Sequence, residues 1–155
     1  TNTGVERALA KSGIRLLRAD IGDKYIAAAM RRAGAAVGGE QSGHVILSDH
    51  AATGDGILTS IALAGLLAGA KLSQLAAIPL LPQINRSVRV RDKVRVLGCE
   101  RVRAAIARES ATVQRLVVRA SGTEPVVRIF AEADSRRAAA AAAARIEAEI
   151  RAGEE

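Results

Sequence analysis

Tryptophan is absent from this chain of 155 residues, and tyrosine, phenylalanine and cysteine occur once each. With so few rings, no aromatic platform for stacking nucleobases can be assembled. A single thiol, Cys99, cannot close an internal disulfide, and no secretory signal precedes the first expected helix, so the cytoplasm is the expected compartment. Cys99 lies between an expected strand and an expected helix with no histidine nearby in sequence, and reads as a small packing residue. Long apolar runs are also missing. The longest, Ile57 to Ala68, is apolar almost all round, which predicts a buried helix; at about a dozen residues it is too short to span a bilayer. Basic residues outnumber acidic ones, 23 to 16, for a net charge of +7. They are mostly arginines scattered along the chain, and no helix gathers them into a dense basic face, so neither nucleic acid nor membrane is an expected partner.

What is present suffices for a core. Hydrophobic residues make up 49% of the chain, and the length suits one domain or two small ones. Thr3 and Glu6 form a possible capping box opening a helix to Ala10, Ile14 to Ala19 reads as a strand, and Asp23 as the cap of a helix to Arg32. Extended pieces are expected at Ala36 to Gly39 and His44 to Ser48, so the first half alternates as an α/β fold. Pro79 and Pro82 bar regular structure after a short helix near Ser73, placing a connector at 71–84 between units 1–70 and 85–155. Beyond it, strands are expected in Asn85 to Val96, Thr112 to Arg119 and Val126 to Ala133, with helices over Cys99 to Glu109 and Ser135 to Arg151. Seven consecutive alanines, Ala138 to Ala144, favour the last helix and its close approach to a sheet, giving an α+β unit with helices on one face of an antiparallel sheet.

Two strings carry chemistry. Arg119-Ala120-Ser121-Gly122-Thr123-Glu124-Pro125-Val126-Val127-Arg128 sets two guanidinium groups and two hydroxyls around a glycine between two apolar strands, a set suited to a phosphate dianion. Glu124 reads as orienting the turn or pairing with an arginine, since a carboxylate aimed at phosphate repels it. Gly38-Gly39-Glu40-Gln41-Ser42-Gly43-His44 puts a carboxylate, a hydroxyl and an imidazole at alternate positions, which in an extended segment face one side and suit the hydroxyls of a sugar ring. Lys24 is a further candidate contact, Asp55 reads as a helix cap rather than a metal ligand, and His50 as a solvated residue.

Together these strings resemble the α-D-phosphohexomutases, and within them the bacterial phosphoglucosamine mutases. That family has a sugar loop Gly-Glu-x-Ser-Gly-His in its third domain and a phosphate loop Arg-x-Ser-Gly-Thr-Glu-Pro in its fourth. Thr53-Gly54-Asp55-Gly56-Ile57-Leu58-Thr59, Asn2-Thr3-Gly4-Val5-Glu6 and Gly22-Asp23-Lys24-Tyr25-Ile26 are similar to it as well. The family's phosphoserine loop and its Asp-x-Asp-x-Asp-Arg magnesium loop have no counterpart, so the resemblance implies the C-terminal portion of such an enzyme, beginning within domain three.

The resemblance implies interconversion of glucosamine 6-phosphate and glucosamine 1-phosphate, for UDP-N-acetylglucosamine synthesis, through a phosphoserine and a hexosamine 1,6-bisphosphate intermediate. Magnesium is implied for the full-length enzyme, held outside these residues, with the missing N-terminal domains as partners. Sugar contacts fall to Glu40, Ser42 and His44, and phosphate contacts to Arg119, Ser121, Gly122, Thr123 and Arg128; no catalytic residue or metal ligand is expected here. A phosphomannomutase/phosphoglucomutase and a non-catalytic phosphosugar-binding module are the alternatives, and homo-oligomerisation is left open.

Overall fold

The computed structural model describes residues 1–154, at position 75 through the backbone alone; Glu155, the end of the expected second unit, lies outside the described residues. The chain divides between Pro79 and Leu80, with Asn2 grouped with the later residues.

The N-terminal unit contains α1 (Thr3–Lys11), α2 (Asp23–Ala33), β1 (Val37–Gly39), β2 (Val45–Leu47), α3 (Gly56–Leu67) and α4 (Leu72–Leu75). β1 and β2 form an antiparallel hairpin with Gly38 opposite Ile46. Three expectations are corrected here. Ile14 to Ala19 joins no ladder, because the only described strands of this unit, β1 and β2, pair with each other. Asp23 is the first residue of α2 rather than its cap: the cap position belongs to Gly22, and the Asp23 carboxylate accepts from the adjacent Lys24 N–H. α3 forms where the apolar run predicts a helix, yet none of its residues is buried; Ile57 is 76% and Ile61 67% exposed. Its start follows from Asp55, whose carboxylate accepts from the N–H groups of Ile57 and Leu58 at 2.9 and 3.0 Å, satisfying two orphan donors.

The C-terminal unit contains β3 (Gln83–Arg89), α5 (Lys93–Gly98), α6 (Glu100–Ser110), β4 (Arg115–Ala120), β5 (Val126–Glu132) and α7 (Arg136–Ala152). Its antiparallel sheet has the order β3-β5-β4. Alternation along β5 sends Val127, Ile129 and Ala131 into the core, while Val126, Arg128 and Phe130 take the other face. α7 supplies the facing surface through Ala139, Ala142, Ala143, Ile146 and Ile150, spaced as one stripe of a helix. Alanines at the contact let the helix lie close to the strands. Val96 and Val102 complete the cluster, with Cys99 packed at its margin. The strand expected over Asn85 to Val96 ends at Arg89. Asp92 then caps α5, accepting from Val94 N–H and Arg95 N–H, and the valines that read as strand become helical.

Ion pairs tie this unit together. Glu109, buried on α6, accepts from Arg145 of α7 at 2.7 Å, and that hydrogen bond holds its carboxyl below the usual carboxylate range. Glu147 is lowered likewise, by Arg86 of β3 first and Arg151 second.

Candidate functional site

The β1–β2 hairpin carries the first candidate. Its connection is a turn, not the extended row that alternation suggests, because Gly43 adopts φ +94° and its N–H closes on Glu40 O at 3.1 Å. Glu40 N–H then donates to His44 O at 3.0 Å, sealing the hairpin. Ser42 Oγ donates to Glu40 Oε1 at 2.7 Å, so carboxylate and hydroxyl form one exposed acceptor–donor unit. His44 departs in another direction. Its ring lies on Gly54, where an added Cβ would overlap the imidazole, and Nε2 stands 4.0 Å from Asp23 Oδ2 at the start of α2. Ser42, Gly43, His44, Val45, Gly54, Asp55 and Gly56 line a shallow, open cavity of about 280 Å³. Ser42 and His44 of the hairpin thus line one recess together with Gly54, where the imidazole leaves no room for a side chain. Lys24 is exposed and lies over the Tyr25 ring at 4.8 Å, and His50 is exposed.

The second candidate is the turn between β4 and β5. Arg119 and Arg128 are direct cross-strand partners, two like charges side by side on the outer face of the sheet. Such a pair opposes folding unless an anion or carboxylate answers it. Glu124 answers one side, its carboxylate accepting from Arg128 Nη2 at 2.6 Å; Arg119 is exposed and has no ion pair among the described residues. Gly122 and Thr123 are exposed, whereas Ser121 is only 3% exposed. Gly122 does not adopt positive φ, and a Cβ there would meet open space, so the glycine leaves room above the turn rather than bending it.

Four hydrogen bonds pin this turn. Ser121 N–H donates to Val126 O at 2.9 Å, Val90 N–H donates to Pro125 O at 3.0 Å, and the Lys93 ammonium donates to Ser121 O and Glu124 O at 2.7 and 3.0 Å. Sequence reading missed Lys93. It stands 28 residues before Ser121, and only the β3–α5 corner brings it to the turn.

Residues 1–80 match the family model described as phosphoglucomutase/phosphomannomutase, alpha/beta/alpha domain III, and residues 83–149 match that family's C-terminal domain. The chain belongs to this family. A phosphoglucosamine mutase of Thermotoga neapolitana is 49% identical over 139 residues, 88% of this chain and 32% of the relative. An Aspergillus fumigatus N-acetylphosphoglucosamine mutase structure aligns at TM-score 0.84 over 99% of this chain and 37% of that one, at 23% identity, a likeness of fold. Another structure of that enzyme, in complex with GlcNAc-6P and magnesium, aligns at TM-score 0.56 and 29% identity over 67% of this chain and 22% of that one. The chain spans about a third of the length of the curated relatives it matches. The α/β third domain and small fourth domain implied by the two motifs are thus those of a phosphohexomutase. Among the described residues no group of three or more His, Cys, Asp or Glu is arranged to hold a metal ion. No described helix is long and apolar enough to cross a membrane.

Proposed function

We propose that this chain is the sugar- and phosphate-recognising C-terminal portion of a phosphoglucosamine mutase acting on glucosamine 6-phosphate and glucosamine 1-phosphate. The observation that carries the reading is the Arg119–Arg128 cross-strand pair beside the Ser121-Gly122-Thr123 turn. Two paired guanidinium groups next to a turn whose Gly122 and Thr123 are exposed match a phosphate monoester in charge and in the kind of donors it needs. Residues 1–70 belong in this reading to the third domain, 71–84 to a connector and 85–155 to the fourth.

Each loop has a distinct task. Arg119, Ser121, Gly122, Thr123 and Arg128 hold the phosphate that is not being transferred, and Arg128 exchanges Glu124 for the ligand. Glu40 accepts from ring hydroxyls, Ser42 donates or accepts beside it, and His44 lines the recess next to them. In a mutase the phosphoryl group passes from a phosphoserine to one sugar oxygen, and the resulting bisphosphate returns its other phosphoryl to the serine after reorienting. Sugar hydroxyls and the distal phosphate must be gripped in both orientations, and such remote binding lowers the barrier to transfer by positioning the reacting ends. The phosphoserine and magnesium of that reaction belong, in this reading, to domains outside this chain. The bisphosphate intermediate and service to UDP-N-acetylglucosamine synthesis are part of the same proposal.

The test is direct. Amides of Gly122 and Thr123 should shift saturably when the chain is titrated with glucosamine 6-phosphate, and the chain alone should give no turnover with magnesium and bisphosphate present. In the complete enzyme, Arg119→Ala should lower the specificity constant by about one to two decades, the worth of roughly 1.5–3 kcal/mol for a charged hydrogen bond. Unshifted amides together with unchanged kinetics would overturn the assignment.

A further inference from the structure

The corner after β3 builds a second layer beneath the phosphate turn, and its significance rests on the phosphate role proposed for that turn. Asp92 caps α5, which sets Lys93 at the first helical position, half-buried. From there its Nζ reaches Ser121 O at 2.7 Å and Glu124 O at 3.0 Å, so a single ammonium joins both ends of the turn. These carbonyl oxygens carry partial negative charge and would repel an anion if they rotated toward it. Peptide planarity decides what their capture accomplishes. In a trans peptide the C=O and the following N–H point in opposite directions, so holding Ser121 O toward Lys93 turns Gly122 N–H the other way. Gly122 N–H makes no hydrogen bond among the described residues, and the residue is exposed, with no neighbour within 4 Å of where a Cβ would stand.

We propose that Lys93 is a positioning residue for the phosphate turn: its ammonium locks the Ser121–Gly122 peptide with the N–H facing the anion. It also places a positive charge behind the turn without touching the ligand. Arg119 and Arg128 act from the sheet face, whereas Lys93 acts through the backbone.

The experiment titrates the 155-residue chain, its K93M, K93R and R119A variants, with glucosamine 6-phosphate and with inorganic phosphate. Backbone amide shifts report affinity, and amide relaxation reports order at Gly122 and Thr123. K93M should weaken both ligands by about fivefold to tenfold, the scale of losing charge-assisted hydrogen bonds at one remove from the ligand. Amide order at Gly122 should fall in the same variant while the β5 amides keep theirs. K93R, which retains a cation able to reach both carbonyls, should keep most of the affinity. K93M binding as tightly as wild type, or K93R as weak as K93M, overturns the inference while R119A remains impaired. Absence of saturable shifts in wild type, or R119A binding like wild type, sinks the phosphate role itself and the inference with it. If K93M does not fold, K93Q is read in its place against the same outcomes.

Discussion

The two units of this chain are built from similar amounts of apolar residue and use it differently. Among the described buried apolar residues only Met30 and Ile46 belong to the N-terminal unit; the others, from Val88 to Ile150, form the core of the C-terminal one. Large exposed apolar side chains divide the opposite way, with Ile14, Leu17, Ile21, Val37, Ile57, Ile61 and Leu66 all before Pro79. Apolar content therefore does not by itself decide burial; enclosure does. A three-stranded sheet facing α7 closes a core from both sides, while a hairpin of two three-residue strands beside an apolar helix covers only one. The two candidate loops inherit this contrast. The β4–β5 turn is pinned by Val90, Val126 and Lys93 on a closed unit, while the β1–β2 hairpin is held by its own turn, by Ile26 and Met30 of α2 against Gly38, and by His44 against Gly54.

The comparison breaks most readily in the cores. Ile146→Ala removes a fully buried side chain between helix and sheet and should lower the stability of the C-terminal unit by about 4 kcal/mol in denaturant unfolding. A loss under about 1 kcal/mol would mean that α7 is not the closing layer. Met30→Ala should cost about 2 kcal/mol, the low end for such truncations, because Ile46 is the only other buried apolar side chain among the described residues of its unit. Equal losses at the two positions would erase the contrast between the units.

Acid should act on the C-terminal unit through Glu109. Its folded carboxyl is held below the ordinary value of 4.5, chiefly by the hydrogen bond from Arg145, so its contribution is complete above that value. As pH falls through the lowered folded value, the contribution disappears. Wild type should therefore melt well above Glu109→Gln near neutrality, and the gap should narrow progressively below about pH 4.5. A gap independent of pH would assign Glu109 to packing alone. The smallest effect is expected on α3, where Ile61→Gln should change the stability of this chain by no more than about 0.5 kcal/mol, since the residue is 67% exposed. A loss several times larger would reveal enclosure of α3 that these residues do not display.

Local order was legible wherever neighbouring residues settle it. The hydrophobic alternation of Val126 to Glu132, the alanine helix from Arg136 and the Asp55 cap each follow from side chains within one or two turns. Both candidate strings stand out for the same reason, because each gathers its polar groups within ten residues of chain. Nonlocal outcomes were not. Whether Ile14 to Ala19 pairs and whether α3 is covered depend on partners across space, and periodicity reports only that an apolar face exists. The valines of Val94 and Val96 favour a strand locally, yet the Asp92 cap and the core beneath Val96 make them helical. Lys93 could not be found by spacing at all: the carbonyls it binds, those of Ser121 and Glu124, lie about thirty residues away and come within hydrogen-bond reach only when the chain folds.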